Sequence, residues 1–132
     1  MSSVFVVIVT YNGEKWVRKC FDSLRSGSYP VQTIVVDNGS TDTTVSILKA
    51  AYPEVMLVHS GSNLGFGQAN NTGIKLALEK QADYVFLLNQ DAWVENNTIA
   101  ALVDCMERHT DYGIISPVHL NGQYAALDKG FE

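Results

Sequence analysis

The sequence predicts an α/β fold: a doubly wound, mostly parallel, Rossmann-like sheet in an α/β/α sandwich. Two observations carry this. Apolar runs of strand length alternate with segments of helical period, and such alternation requires crossover connections between parallel strands. The first run, Val4 to Val9, is apolar at every position and nearly all β-branched, as befits a strand buried on both faces.

Each element has its own signal. After Val4 to Val9, the residues Trp16, Val17, Cys20, Phe21 and Leu24 recur at helical spacing and form one apolar stripe. Thr33 to Val36 reads as a second strand. Ser40 or Thr41 can cap the helix after it, with Asp42 placed against the N-terminal dipole and Val45, Leu48 and Ala51 facing inward. Val55 to Val58 is a third strand, following Pro53. Gly67 to Leu78 reads as a helix whose small residues Ala69, Gly73 and Ala77, with Leu76, allow close packing. Tyr84 to Leu88 is a fourth strand. Asn96 or Asn97 can cap a helix carrying Ile99, Leu102, Val103 and Met106. Ile114 and Ile115, stopped by Pro117, are expected to form a short fifth strand, with a polar loop from His119 onward.

At 132 residues the chain has the size of one domain, and such a chain buries about 70% of its unfolded surface. Its net charge is −5 with no basic cluster, so no nucleic-acid partner is expected. Cys20 and Cys105 have no metal-site or disulfide spacing. The N-terminal apolar run is too short to span a membrane and lacks a basic leader. A cytoplasmic location is the default expectation.

Parallel strands all end on one rim, and ligands bind there. The residues after the four strands are Thr10-Tyr11-Asn12-Gly13, Asp37-Asn38-Gly39-Ser40, His59 to Gly67, and Asn89-Gln90-Asp91. Turn chemistry explains any one of these; four together, with two acids, favour a polar ligand. Asp91 ends an apolar run with no Lys or Arg beside it, and a bare carboxylate leaving a core strand is costly. A hard cation such as Mg²⁺ or Mn²⁺, shared with substrate phosphates, would balance it; a solvated strand end that caps the next turn would serve equally well. Gly65, Gly67 and Gly73 do not make a dinucleotide fingerprint, because Asn70 stands where its third glycine would be, and no Walker loop is present.

Four motifs carry a resemblance: "VVIVTYNG" (Val6 to Gly13), "IVVDNGSTD" (Ile34 to Asp42), "NLGFGQANNTGI" (Asn63 to Ile74) and "YVFLLNQDAWV" (Tyr84 to Val94). Their order and spacing resemble the family-2 glycosyltransferases, especially bacterial rhamnosyltransferase-like members. The resemblance implies a glycosyltransferase-A fold, a divalent metal (Mg²⁺ or Mn²⁺), a dTDP- or UDP-linked sugar donor, and inversion at the anomeric carbon. It implies that Thr10, Tyr11 and Asn12 border the nucleotide and that Asp37 and Asn38 recognise the base, although many relatives carry a second acid at position 38. Asn63, Gly65 and Asn70 match the segment flanking the sugar diphosphate. Asn89-Gln90-Asp91 occupies the Asp-x-Asp position with only its last acid kept, making Asp91 the metal ligand and Asn89 a donor-orienting residue.

The family's general base is a carboxylate beyond this motif; Asp128 and Glu132 carry no motif that would assign either to that role. The chain is therefore expected to be the N-terminal donor-binding part of a longer enzyme in cell-surface glycan synthesis. It would act on a glycan or lipid-linked acceptor, with peripheral association at the inner face of the membrane, and a missing acceptor half would expose surface for self-association. The alternative is a non-catalytic nucleotide-sugar-binding or interaction module. A receiver-type signalling domain fits less well, since its acids follow the first and third strands whereas here they follow the second and fourth.

Overall fold

In the computed structural model, which describes residues 1–120, eight elements alternate strictly. They are β1 (Val4–Thr10), α1 (Val17–Arg25), β2 (Gln32–Asp37), α2 (Thr44–Ala51), β3 (Met56–His59), α3 (Phe66–Glu79), β4 (Tyr84–Leu87) and α4 (Thr98–Arg108). The strands form one parallel sheet in the order β3-β2-β1-β4. The chain winds outward from β1 to β3, then crosses back over β1 to β4. A right-handed crossover in that reversed direction must pass over the opposite face, and it does. α1, α2 and α4 share a core with Val4, Val6 and Ile8 of β1, whereas α3 packs with Phe5 and Val9. The α/β/α sandwich expected from the alternation is thus present.

β1 is central and all seven of its residues are buried, which is why the sequence shows no polar alternation there. On the α3 face the layers approach closely at Gly73. A Cβ at that position would stand 2.3 Å from Cγ1 of Val7, far inside van der Waals contact, so the small-residue face allows the helix to lie against the central strand.

Three expectations are corrected. Ile114 and Ile115 form no strand: neither joins the described sheet, and Ile114 is 92% exposed. Two apolar residues between Gly113 and Pro117 are too few to earn a place beside β4. Trp16 leaves the apolar stripe of α1; it is the residue preceding the helix, 42% exposed, with the Lys15 ammonium 5.4 Å from its ring. Neither Ser40 nor Thr41 caps α2, which begins at Thr44. Asp42 instead accepts the Thr44 N–H at 2.9 Å. The polar tail falls, beyond Leu120, outside the described residues, as do Asp128 and Glu132. Among the described residues no helix is long and apolar enough to cross a membrane.

Replacing Gly73 with Ala should destabilise the fold by about 1–3 kcal/mol through overpacking, read by chemical denaturation. The double variant with Val7→Ala should cost less than the two single losses combined; additive losses would show that the Gly73–Val7 contact is not the cause.

Candidate functional site

The register of the two inner strands creates the site's foundation. Thr10 at the end of β1 pairs with Asp37 at the end of β2, and the Thr10 hydroxyl donates to Asp37 Oδ1 at 2.8 Å. Asp37 is 3% exposed, yet its carboxylate is fully engaged. Oδ1 also accepts the Ser40 hydroxyl at 2.6 Å, and Oδ2 accepts the N–H groups of Gly39 and Ser40 at 3.3 and 3.0 Å. Gly39 makes this turn possible by adopting φ 95°, a conformation costly for other residues. All four partners donate, so the buried charge is satisfied without a cation.

The loops above hang from this point. Asn12, at φ 45°, donates its N–H to the Ser40 hydroxyl at 3.0 Å. Its side-chain oxygen accepts the Thr41 and Asp42 N–H groups at 2.8 and 3.3 Å. For Asp42, burial opposes ionisation, but the Thr44 hydroxyl and N–H and the Glu14 N–H outweigh it and hold the carboxyl below its ordinary range. Asn38 donates to the Asn63 side-chain oxygen at 2.9 Å and accepts the Leu64 N–H at 2.7 Å. An aspartate at position 38 would have no proton for Asn63, so the departure from the two-acid pattern ties the loop after β3 to the end of β2.

These supports frame a cavity of about 460 Å³ at the carboxyl edge of the sheet. Val9 and Tyr11 come from β1 and its exit, Asn38 from the exit of β2, Asn63 from the loop before α3, Phe66 from the start of α3, and Asn89, Gln90 and Asp91 from the turn after β4. The cavity straddles β1, where the winding reverses, and such switch points are where open α/β sheets hold ligands. A smaller cavity of about 240 Å³ lies around Tyr29, Pro30 and Val31, before β2. Its charged groups, Arg25 and Glu54, are closed on each other at 2.8 Å, leaving no chemistry there.

The structure brings Tyr11, Asn38, Asn63, Asn89 and Asp91 together but redistributes the other expected site residues. Thr10 and Asp37 are buried and do not line the cavity: the Thr10 hydroxyl is given to Asp37, and the Asp37 carboxylate is taken up by Thr10, Gly39 and Ser40. Asn12 is turned toward residues 40–42. Asn70 is buried in α3, its amide donating to the Phe66 carbonyl at 3.2 Å, and Gly65 precedes the helix at φ 81°. Gln90 and Phe66, which line the wall, carry no sequence signal of function beyond their place inside the motifs.

Asp91 sits on an exposed turn closed by the Ala92 N–H on the Asn89 carbonyl at 3.0 Å. The desolvation that would have demanded a counter-ion is therefore absent. Among the described residues no Lys or Arg pairs with Asp91, and no three His, Cys, Asp or Glu side chains cluster to form a metal cage. One exposed carboxylate lining the cavity suits a hard cation that takes its other ligands from a phosphate and water.

The model for glycosyl transferase family 2 matches residues 5–131. This chain belongs to that family. Its sheet and helices form the glycosyltransferase-A arrangement. It is similar to the Mycobacterium tuberculosis N-acetylglucosaminyl-diphospho-decaprenol L-rhamnosyltransferase, with 33% identity over 122 residues, covering 86% of this chain and 40% of that protein. The Shigella flexneri dTDP-rhamnosyl transferase RfbF is 33% identical over 121 residues, covering 91% of this chain and 40% of its own length. Among solved structures, the mannosyltransferase PcManGT from Pyrobaculum calidifontis, in complex with GDP-Man and Mn²⁺, superposes with a TM-score of 0.69 at 28% identity. That match covers 78% of this chain and 32% of the other. Staphylococcus aureus TarS in complex with UDP-GlcNAc shares the fold, with a TM-score of 0.68 at 23% identity over 86% of this chain and 37% of that one. The chain thus spans about 40% of the length of these two curated relatives.

Two outcomes follow from the site's construction. Asp37→Asn should destabilise the fold by about 1–3 kcal/mol in denaturant titrations, because an amide NH₂ must then face donors that need an acceptor. Beneath the Asp91 turn, burial and then the Asp91 charge push the Cys20 thiol up to about 12. Cys20 should stay protonated and unreactive toward a thiol reagent at pH 8, where half-buried Cys105 reacts. One thiol should titrate in the native chain and two after unfolding; two in the native state would contradict the burial.

Proposed function

We propose that this chain is the donor-binding part of a glycosyltransferase, holding a nucleoside-diphosphate sugar across the carboxyl edge of the sheet. The observation that carries this reading is the convergence of four family motifs on one cavity whose exposed carboxylate is Asp91. Tyr11 and Phe66, 43% and 58% exposed, offer aromatic surface for a base or sugar. Asn38, Asn63 and Asn89 offer amide groups, and Asp91 would hold Mg²⁺ or Mn²⁺. When bound, the cation would neutralise charge growing on the departing diphosphate. The chain's own residues orient the donor: the asparagines fix its polar groups, while the layer beneath them keeps the rim from collapsing.

The reaction is displacement of the nucleoside diphosphate by an acceptor hydroxyl with inversion at the anomeric carbon. It needs a general base, and among the described residues none lining this cavity other than Asp91 is a carboxylate. Similarity to enzymes named for dTDP-rhamnose and for a decaprenol-diphosphate acceptor supports a dTDP- or UDP-linked donor and a glycan or lipid-linked acceptor. A cytoplasmic domain working at the inner membrane face, in cell-surface glycan synthesis, agrees with that pair of substrates.

Titration calorimetry tests the reading. UDP or dTDP should bind, Mn²⁺ or Mg²⁺ should tighten the binding, and Asp91→Ala should remove the metal-dependent part, on the order of tenfold or more. Absence of binding to every nucleoside diphosphate, with and without metal, would overturn it. Binding with no transfer to any acceptor, even in the longer enzyme, would favour a non-catalytic module.

A further inference from the structure

Gln90 stands between Asn89 and Asp91, and its side chain does something its position in the motif does not announce. The last backbone bond of β4 to β1 runs from the Leu88 N–H to the Val7 carbonyl at 3.1 Å. Beyond it β1 continues through Thr10 paired with β2 alone, and the chain after Thr10 has no strand on its β4 side. There the Gln90 side chain takes the place of a strand. Its Oε1 accepts the Tyr11 N–H at 3.0 Å, and its Nε2 donates to the Tyr11 carbonyl at 3.0 Å. A primary amide is the side-chain group that offers a donor and an acceptor in one plane, which is what the neighbouring residue of a ladder offers.

Room for this contact comes from Gly13. A Cβ there would lie 2.2 Å from Gln90 Oε1, in the space the amide fills. Gly13 has no left-handed φ, so its lack of a side chain serves that space and not an unusual backbone. The obstructing atom is the end of a flexible side chain; an alanine would displace the amide and leave the surrounding backbone in place.

We propose that Gln90 is a positioning residue that fixes the separation between the Tyr11 end of the cavity and the Asp91 carboxylate. Both bonds go to the Tyr11 main chain, so the ring is left to the ligand, and the turn carrying Asp91 is held to the exit of β1. The ligand such a fixed separation suits has a planar ring at one end and a metal-binding anion at the other, which is the chemistry of a nucleoside diphosphate. This assignment rests on the donor-binding reading above, and it distinguishes glutamine from the residues that could otherwise occupy the position. Methionine has similar bulk with neither hydrogen bond, and glutamate can accept but not donate.

The experiment is calorimetry of UDP with Mn²⁺ on the wild-type chain, Gln90→Met, Gly13→Ala and the double variant, with a melting temperature for each. Gln90→Met and Gly13→Ala should each weaken Mn²⁺-dependent UDP binding by roughly tenfold, as loss of a supporting contact behind a metal ligand does, and binding without metal should change less. The double variant should bind no more weakly than Gln90→Met, because both substitutions act through the same amide. Unchanged affinity in Gln90→Met would overturn the proposal. So would additive losses in the double variant, or affinity losses that merely track a large fall in melting temperature. Failure of the wild-type chain to bind UDP or dTDP at all would instead sink the donor-binding reading.

Discussion

A buried carboxylate at the junction of the two inner strands governs the shape of this molecule's functional rim. Among the described residues Asp37 is the one charged residue in the buried set, and burying an ion is tolerable only when its hydration is replaced. Thr10, Gly39 and Ser40 supply that replacement. Because those donors come from the neighbouring strand and from the turn after β2, satisfying the charge also determines where both strand exits lie. Ser40 then holds Asn12, and Asn12 holds residues 41 and 42. In the polar rim a core requirement and a loop requirement are met by the same four bonds.

Above that layer the cavity is assembled largely by side-chain amides bonded to backbone. Asn38 and Asn63 tie the loop before α3 to β2, and Gln90 ties the turn after β4 to the exit of β1. Amides suit this task because each can donate and accept without adding charge. Among the described residues Asp91 is left as the single carboxylate lining the space. Such a rim favours a ligand that brings its own negative charge and, with it, a cation. Membership of glycosyltransferase family 2 and the sheet's reversal of winding at β1 place the cavity where this fold holds ligands, while the chemistry belongs to the rim residues and not to the sheet.

Most of the fold was legible because its signals are local and periodic. An apolar run that is nearly all β-branched, apolar or small-residue faces at helical spacing and alternating strand and helix lengths suffice to specify β1 through α4 and the layered class. The four polar clusters were legible as one rim because parallel strands end together. Where the expectations failed, they failed at element ends, where composition and spacing do not settle which residue enters the first turn or joins a ladder. Ile114 and Ile115 have the composition of a strand but join none of the described strands. Trp16 has the right spacing for α1 yet precedes its first turn.

By itself, then, the sequence determined the element order, the central strand, the edge of the sheet that carries polar residues, and the family motifs. Only the tertiary structure decided which of those polar residues face the cavity and which support it. Thr10, Asp37 and Asn70 share motifs with Tyr11, Asn38 and Asn63, and no local pattern separates the two groups. Their division arises because a hydrogen bond between strand ends can be satisfied only once the register is set. Gln90 makes the same point: its two partners lie 79 positions away along the chain, and the space it fills exists only because a glycine from another strand exit stands opposite.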